Sequence, residues 1–114
     1  MLKWCAYIRK ERFLDKMSKF KNEATDKLFE AILTLKSVEE CYLFFEDACT
    51  IKEIQAISQR FDVACKMDAG NNYKEVIKDT GASSATISRV NKCINYGDGG
   101  YKIAIDRMKE EGKL

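Results

Sequence analysis

The chain has 114 residues, of which 46% are hydrophobic, a composition that argues against disorder and fits one domain or a domain that shares its core with a partner. It contains no histidine, the usual general base and metal ligand, and no proline, which leaves helices uninterrupted and favours an all-α fold. The net charge of +2 is uneven, because residues 1–22 carry a net +5 and residues 23–114 a net −3. A nucleic-acid partner would therefore have to bind a local basic patch.

The same inventory argues against an enzyme and against a metal site. We find no paired carboxylates in an apolar setting, and the glycines at 97–100 lack the preceding strand of a nucleotide-binding loop. The cysteines are odd in number and have no C-x-x-C spacing, so we expect them to be buried, reduced and structural: Cys5, Cys41, Cys49, Cys65 and Cys93. Reduced cysteines and the lack of a run of about 18 apolar residues indicate a cytoplasmic protein without a membrane span.

Residues 1–22 form a basic N-terminal segment with two possible interpretations. Met17 opens a second plausible start of translation, which would make residues 1–16 an extension ahead of it. Alternatively, the segment is an arm that touches DNA phosphates. The mass of the native protein would distinguish the two.

From Glu23 onward the apolar spacing is that of helices. Ser37 with Glu40, and Thr50 with Glu53, have the spacing of capping boxes and predict the starts of a second and a third helix. Gly70 is expected to end the third helix. The predicted inward side chains are Leu28, Ile32 and Leu35, then Val38, Cys41, Tyr42 and Phe45, then Ile51, Ile54, Ile57, Phe61 and Ala64. This apolar content exceeds the need of one small core and predicts a dimer interface, with a compact monomer as the alternative.

Residues 73–94 have the pattern of a helix-turn-helix. A first helix over 73–80 with Val76 inward is followed by Gly81, which suits a turn with positive φ. Ser83 would cap the second helix, whose inward stripe is Ile87, Val90 and Ile94. A last helix, from Tyr101 to about Glu111, follows a glycine-rich hinge.

The outer face of the second helix carries small, polar and basic side chains, which suit the major groove. The predicted DNA-binding residues are Lys74, Lys78, Ser83, Ser84, Ala85, Thr86, Ser88, Arg89 and Lys92. Hydroxyls and the alanine methyl would reach base edges, and the cations would contact phosphates. Ile77 stands where many such motifs have alanine or glycine, so either the two helices splay slightly or Ile77 points elsewhere.

The runs FFEDACTIKEIQAISQRFDVACKM and NYKEVIKDTGASSATISRVNKCINYGDGGY resemble the Trp-repressor-like helix-turn-helix family, in particular its YerC/YecD branch. The resemblance covers about residues 23–110. It implies an all-α helical bundle that forms an intertwined homodimer, in a cytoplasmic bacterial protein that binds double-stranded DNA. In such a dimer two reading helices would lie roughly 34–36 Å apart, one turn of DNA.

The resemblance also implies positions for a tryptophan co-repressor. Thr50, Arg60 and Arg89 match residues that hold the amino acid in the Trp repressor, and Thr86 matches a threonine near a phosphate contact. Val90 stands where that family has a glycine that leaves room for the ligand, and Ile77 replaces a lysine that can reach DNA. We therefore expect no cofactor, with tryptophan or another small co-repressor as the alternative. Arg60 could instead form an ion pair with Glu53 or Asp62, within or between subunits.

The sequence thus predicts a DNA-binding transcriptional regulator, as a repressor, that acts as a homodimer on a pseudo-palindromic operator. The alternative is a helical protein-interaction module without specific DNA binding, which the net −3 of residues 23–114 would suit.

Overall fold

The structure, a computed structural model, describes residues 20–114, which divide into two compact units between residues 48 and 49. Within the described residues it has six α-helices and no strand. They are α1 (Glu23–Leu33), α2 (Val38–Ala48), α3 (Ile51–Asp68), α4 (Tyr73–Thr80), α5 (Ser84–Tyr96) and α6 (Gly100–Glu110). The expected all-α class is confirmed. The interpretations of residues 1–16, including Cys5, lie outside the described residues.

Polar side chains accept hydrogen bonds from the first turn of most of these helices. The acceptors are Asn22 for α1, Ser37 for α2, Thr50 for α3, Asn72 for α4 and Ser83 for α5, each to the backbone N–H three residues on at 2.8–3.2 Å. The caps predicted at Ser37, Thr50 and Ser83 are confirmed, and such caps each stabilise a helix by about 1 kcal/mol.

The end of α3 is also set by local sequence. Gly70 has a φ of +90°, its N–H donates to the carbonyl of Met67, and the N–H of Asn71 donates to that of Lys66. These two bonds form a Schellman motif, which requires a residue that tolerates the left-handed conformation. The predicted role of Gly70 is confirmed.

The described part of the first unit has no buried core of its own. Neither α1 nor α2 contains a buried residue, although both are rich in apolar side chains. Cys41 and Phe45 are partly buried as predicted, but Val38 and Tyr42 are 68% and 65% exposed in the single chain. The prediction that these two residues point inward is therefore wrong for one chain, because nothing within residues 20–114 covers them.

The second unit has a well-defined core beneath α5. Its buried residues come from α3 to α6 and the turn: Val63, Ala64, Val76, Ala82, Ile87, Val90 and Ile105. Phe61 and Tyr101 pack against this core with ring centroids 6.4 Å apart. The N-terminal half of α3 departs from the predicted stripe, since Ile51 and Ile57 are 77% and 52% exposed.

An ion cluster joins the end of α3 to α6. The carboxylate of Asp68, whose side chain is only 10% exposed, accepts from Lys109 Nζ at 2.6 Å and from Lys102 Nζ at 3.3 Å. The hydrogen bond from Lys109 is the main cause that holds the pKa of Asp68 below its ordinary value of 3.8. Since the folded-state pKa is depressed, the carboxylate stabilises the fold above its unfolded-state pKa and loses this effect as the pH falls through its folded-state pKa.

We expect Asp68→Asn to lower the urea midpoint of unfolding near neutral pH. The difference from the wild type should begin to shrink once the pH falls below about 4, where the Asp68 carboxyl is protonated in the unfolded chain, and should vanish once the pH has also passed below the depressed folded-state pKa. Glu111→Gln is the matched control, because Glu111 is exposed and, within the described residues, pairs only with Lys113 two residues further on. A difference that stayed constant down to acidic pH would contradict an ionic role for Asp68.

Candidate nucleic-acid interface

The turn between α4 and α5 is built by three consecutive residues. Gly81 has a φ of +68° and its N–H donates to the carbonyl of Ile77 at 2.9 Å. The hydroxyl of Thr80 donates to the carbonyl of Val76 at 2.6 Å and accepts from the N–H of Ala82 at 3.2 Å. Ala82 then enters the core with 3% exposure. The predicted glycine turn of a helix-turn-helix is confirmed in its backbone geometry.

The second helix of the motif, α5, is held by its inner face and by its first turn. Ile87 and Val90 are 0% and 1% exposed, as the spacing predicts, and Ile94 packs against the same core. At the N-terminus Ser83 Oγ accepts from the N–H of Thr86 and lies 3.0 Å from the hydroxyl of Thr86. These two hydroxyls therefore serve first to cap the helix.

The outer face of α5 is accessible and carries no acidic residue. Its exposed residues are the predicted Ser84, Ala85, Ser88, Arg89 and Lys92. On α4 the predicted Lys74 and Lys78 are also exposed, and so is Ser83, whereas Thr86 is half-buried. Residues 73–96 have a net charge of +2 within a segment, 23–114, whose net charge is −3. The helix-turn-helix is thus a local basic patch of the kind that DNA binding requires here.

The first helix of the motif is attached to α3 at its C-terminal end. Gln59 Nε2 donates to the carbonyl of Thr80 at 3.2 Å, and Val76 is fully buried. Ile77 is 41% exposed, which resolves the alternative left open by the sequence: its side chain points away from the core.

Two residues that sequence reasoning missed connect the two helices of the motif. Asn91 Nδ2 on α5 donates to the hydroxyl of Tyr73, the first residue of α4, at 3.1 Å. The bond joins the first residue of α4 to the middle of α5. Because the partners are 18 residues apart in sequence, no helical spacing could have indicated the pair.

The residues matched to ligand contacts have identifiable surroundings. Thr50 Oγ1 accepts from the N–H of Glu53 and so caps α3. Arg60 is partly buried on α3 and Arg89 is exposed on α5. The intrachain ion pairs considered for Arg60 are absent among residues 20–114, where Asp62 pairs with Lys66 at 2.7 Å.

The burial of Val90 bears on whether tryptophan could bind as the resemblance implies. Val90 is 1% exposed and belongs to the core, so its isopropyl group fills the place where a glycine would leave space. The buried side chain could vacate this position only by disturbing the packing of Ile87 and its neighbours. A packed isopropyl group at this position disfavours an indole there.

The cysteine and acidic residues of the described part of the chain are not arranged to bind a metal ion. Among residues 20–114 no three His, Cys, Asp or Glu side chains cluster so as to hold a metal ion. Cys41, Cys49 and Cys65 are partly buried, and burial raises the pKa of the Cys65 thiol. Cys93 is exposed, so the expectation that it is buried is wrong: it lies three residues past Val90 but off the core-facing stripe. None of the described helices has the length and apolar character to cross a membrane.

Comparisons with known proteins agree with this geometry. The sequence model of the Trp repressor protein family matches residues 23–109, and the chain belongs to this family. It is 51% identical over 94 residues to the uncharacterized protein YerC of Bacillus subtilis (strain 168), covering 82% of this chain and 90% of YerC. The expected membership of the Trp-repressor-like family and the expected all-helical fold of that family are confirmed.

Two solved structures share the fold. A candidate Trp repressor from Staphylococcus aureus superposes with a TM-score of 0.79 at 46% identity, covering 82% of this chain and 93% of the other. A TrpR-like protein from Eubacterium eligens ATCC 27750 gives a TM-score of 0.77 at 49% identity, covering 80% and 94%. These relatives are similar along nearly their whole length, so the resemblance extends well beyond the helix-turn-helix.

Proposed function

We propose that the protein is a sequence-specific DNA-binding regulator of transcription, and that it acts as a homodimer in the cytoplasm. The observation that carries the proposal is the helix-turn-helix of α4 and α5, whose accessible face is small, polar and basic while the rest of residues 23–114 is acidic. Membership of the Trp repressor family supports the same function and favours repression.

In the proposed complex α5 enters the major groove with its N-terminal turn foremost. Ser84, Ala85 and Ser88 contact base edges, where a hydroxyl can bond a base and the alanine methyl can pack on a thymine. Ser83 and Thr86 hold the helix terminus, whose positive end favours a nearby phosphate. The cations contact phosphates on both sides of the groove: Lys74, Lys78, Arg89 and Lys92.

The dimer is supported by the uncovered apolar side chains of the first unit. Leu33 is 84% exposed and Leu43 is 67% exposed, and no residue of α1 or α2 is buried. Two helices without a buried residue are not stable by packing in one chain, so we infer that a second copy covers them. Two-fold symmetry would then place the reading helices on a pseudo-palindromic operator.

We further propose that operator binding needs no tryptophan, since Val90 fills the corresponding space. Selection of bound sequences from a random DNA pool, with and without tryptophan, tests the proposal. A palindromic motif recovered equally in both would support it. A motif that appeared only with tryptophan would contradict our interpretation of Val90. No motif at all would favour a protein-interaction module.

Arg89→Ala should weaken operator binding mainly through the loss of charge. We expect the slope of log K against log salt to flatten by about one unit for each arginine that leaves a phosphate, so by about two for a dimer. Arg107→Ala on α6 is the matched control, because it removes an exposed arginine outside the helix-turn-helix. Fluorescence anisotropy over a salt series measures both, and equal slopes for the two variants would refute the assignment of Arg89.

A further inference from the structure

Two large apolar side chains on α4 remain half-exposed beside the reading helix. Tyr73 is 43% exposed and Ile77 is 41% exposed, whereas Val76 between them is fully buried. Residues four apart lie on the same side of a helix, so Tyr73 and Ile77 form one strip along α4. The exposed part of this strip is not explained by DNA recognition through hydroxyls and cations.

The hydrogen bond between Tyr73 and Asn91 locates the strip relative to α5. Asn91 follows Ser88 by three residues and Ser84 by seven, so these three side chains share one side of α5. Because the Tyr73 hydroxyl accepts from Asn91 Nδ2 at 3.1 Å, the strip of Tyr73 and Ile77 borders this polar side of α5. The apolar strip is therefore continuous with the face that we propose reads the bases.

The charges around the strip suit DNA. Lys74 and Lys78 on α4 are exposed, and α5 contributes no acidic residue. The acidic residues of α4, Glu75 and Asp79, each stand two residues from Tyr73 or Ile77, and residues two apart on a helix do not face the same way. Glu75 also accepts from Asn72 Nδ2 at 3.3 Å. An apolar strip flanked by cations matches a groove that displays thymine methyl groups between two rows of phosphates.

We propose that Ile77, braced by Tyr73, packs against a thymine 5-methyl group in the major groove and thereby selects thymine at one position of each operator half-site. The inference rests on the proposed DNA-binding function and adds a specificity residue on the first helix of the motif. The 5-methyl group is the apolar feature that the base edges present in the major groove, and a branched aliphatic side chain is complementary to it.

The test uses deoxyuridine, which lacks only the methyl group. In the operator recovered by selection, each thymine and its symmetry mate are replaced in turn by deoxyuridine, and the affinities of the full-length wild type and Ile77→Ala are measured by fluorescence anisotropy. At one position the replacement should weaken wild-type binding about fourfold per half-site, the effect expected for one buried methyl group. The same replacement should leave Ile77→Ala unaffected.

Two controls separate this contact from other effects. Lys78→Ala should keep the full deoxyuridine penalty while flattening the salt dependence, because it removes a charge and leaves the apolar strip intact. Circular dichroism should show Ile77→Ala folded like the wild type, as expected for a side chain that is 41% exposed. Should Ile77→Ala instead lose structure, Ile77→Val gives the same comparison, with a reduced penalty expected.

The outcomes distinguish failure of this inference from failure of the proposed function. Suppose that an operator is recovered and that deoxyuridine weakens binding of the wild type and of Ile77→Ala equally at every position. The thymine contact is then wrong, and the proposed DNA-binding function still stands. If the wild type selects no sequence, both proposals fall, and the strip becomes a surface for a protein partner.

Discussion

Replacing Ile87 with alanine is expected to lower the free energy of unfolding by about 2–5 kcal/mol, because it leaves a cavity at a fully buried position. Ile87 is 0% exposed and lies in the core with Val76, Val90 and Ile105, so three helices lose contacts at once. The residue also holds α5 against α3 and α4. Operator binding should therefore weaken in parallel with the loss of folded protein.

Urea unfolding followed by circular dichroism, at one fixed protein concentration, measures this effect. Ile87→Val should cost only about 0.5–1.5 kcal/mol, since it removes one methylene group. Ser88→Ala, a change at the adjacent exposed residue, should stay within about 0.5 kcal/mol of the wild type. If Ile87→Ala were as stable as Ser88→Ala, the packing of α5 against the core through Ile87 would be contradicted.

Capping residues and the turn glycine made several helix boundaries predictable from the sequence. Ser37, Thr50 and Ser83 each cap a helix through a bond to a residue three positions on, and Gly81 adopts its positive φ within a single turn. Such features depend on a few adjacent residues, which is why composition and spacing are enough to predict them. The candidate reading face followed in the same way, because the inward stripe of Ile87 and Val90 determines which residues point outward.

Contacts between distant residues could not be predicted in this way. Asp68 binds Lys102 and Lys109 across 34 and 41 residues, and Tyr73 binds Asn91 across 18. These pairs depend on how helices pack, and helical periodicity carries no information on which exposed polar groups meet. The exposure of Cys93 was missed for a related reason, since an apolar neighbourhood in sequence does not determine the side of the helix on which a residue lies.

The mispredicted burial of Val38 and Tyr42 has a different origin. Periodicity identified an apolar face correctly, but it cannot say whether that face meets its own chain or another copy. In one chain both side chains are mostly exposed, as are Leu33 and Leu43 nearby. An apolar surface of this kind on two helices without buried residues favours a shared core, which leads to a second prediction with a large effect.

Leu43→Glu should convert the proposed dimer into a monomer. Leu43 is 67% exposed on α2, so a glutamate there meets no clash within one chain but would place a charge in a desolvated interface between copies. Loss of the second reading helix removes the advantage of binding two half-sites together, which is worth about 100-fold or more in affinity. Sedimentation equilibrium gives the oligomeric state, and anisotropy with the full operator gives the affinity.

Lys27→Glu is the matched control, because it introduces the same side chain at an exposed polar position of α1. It should remain dimeric and retain operator affinity near the wild-type value. Leu43→Glu should also lose helical signal from α1 and α2, since these helices would have no partner to cover their apolar side chains. If Leu43→Glu remained dimeric with undiminished affinity, α2 would not be part of the interface. If the wild type were monomeric and still bound a palindrome tightly, the shared core itself would be contradicted. Both operator affinity and helical content are measured because an obligate dimer couples folding to association. In the wild type, too, both should therefore fall together as the protein is diluted.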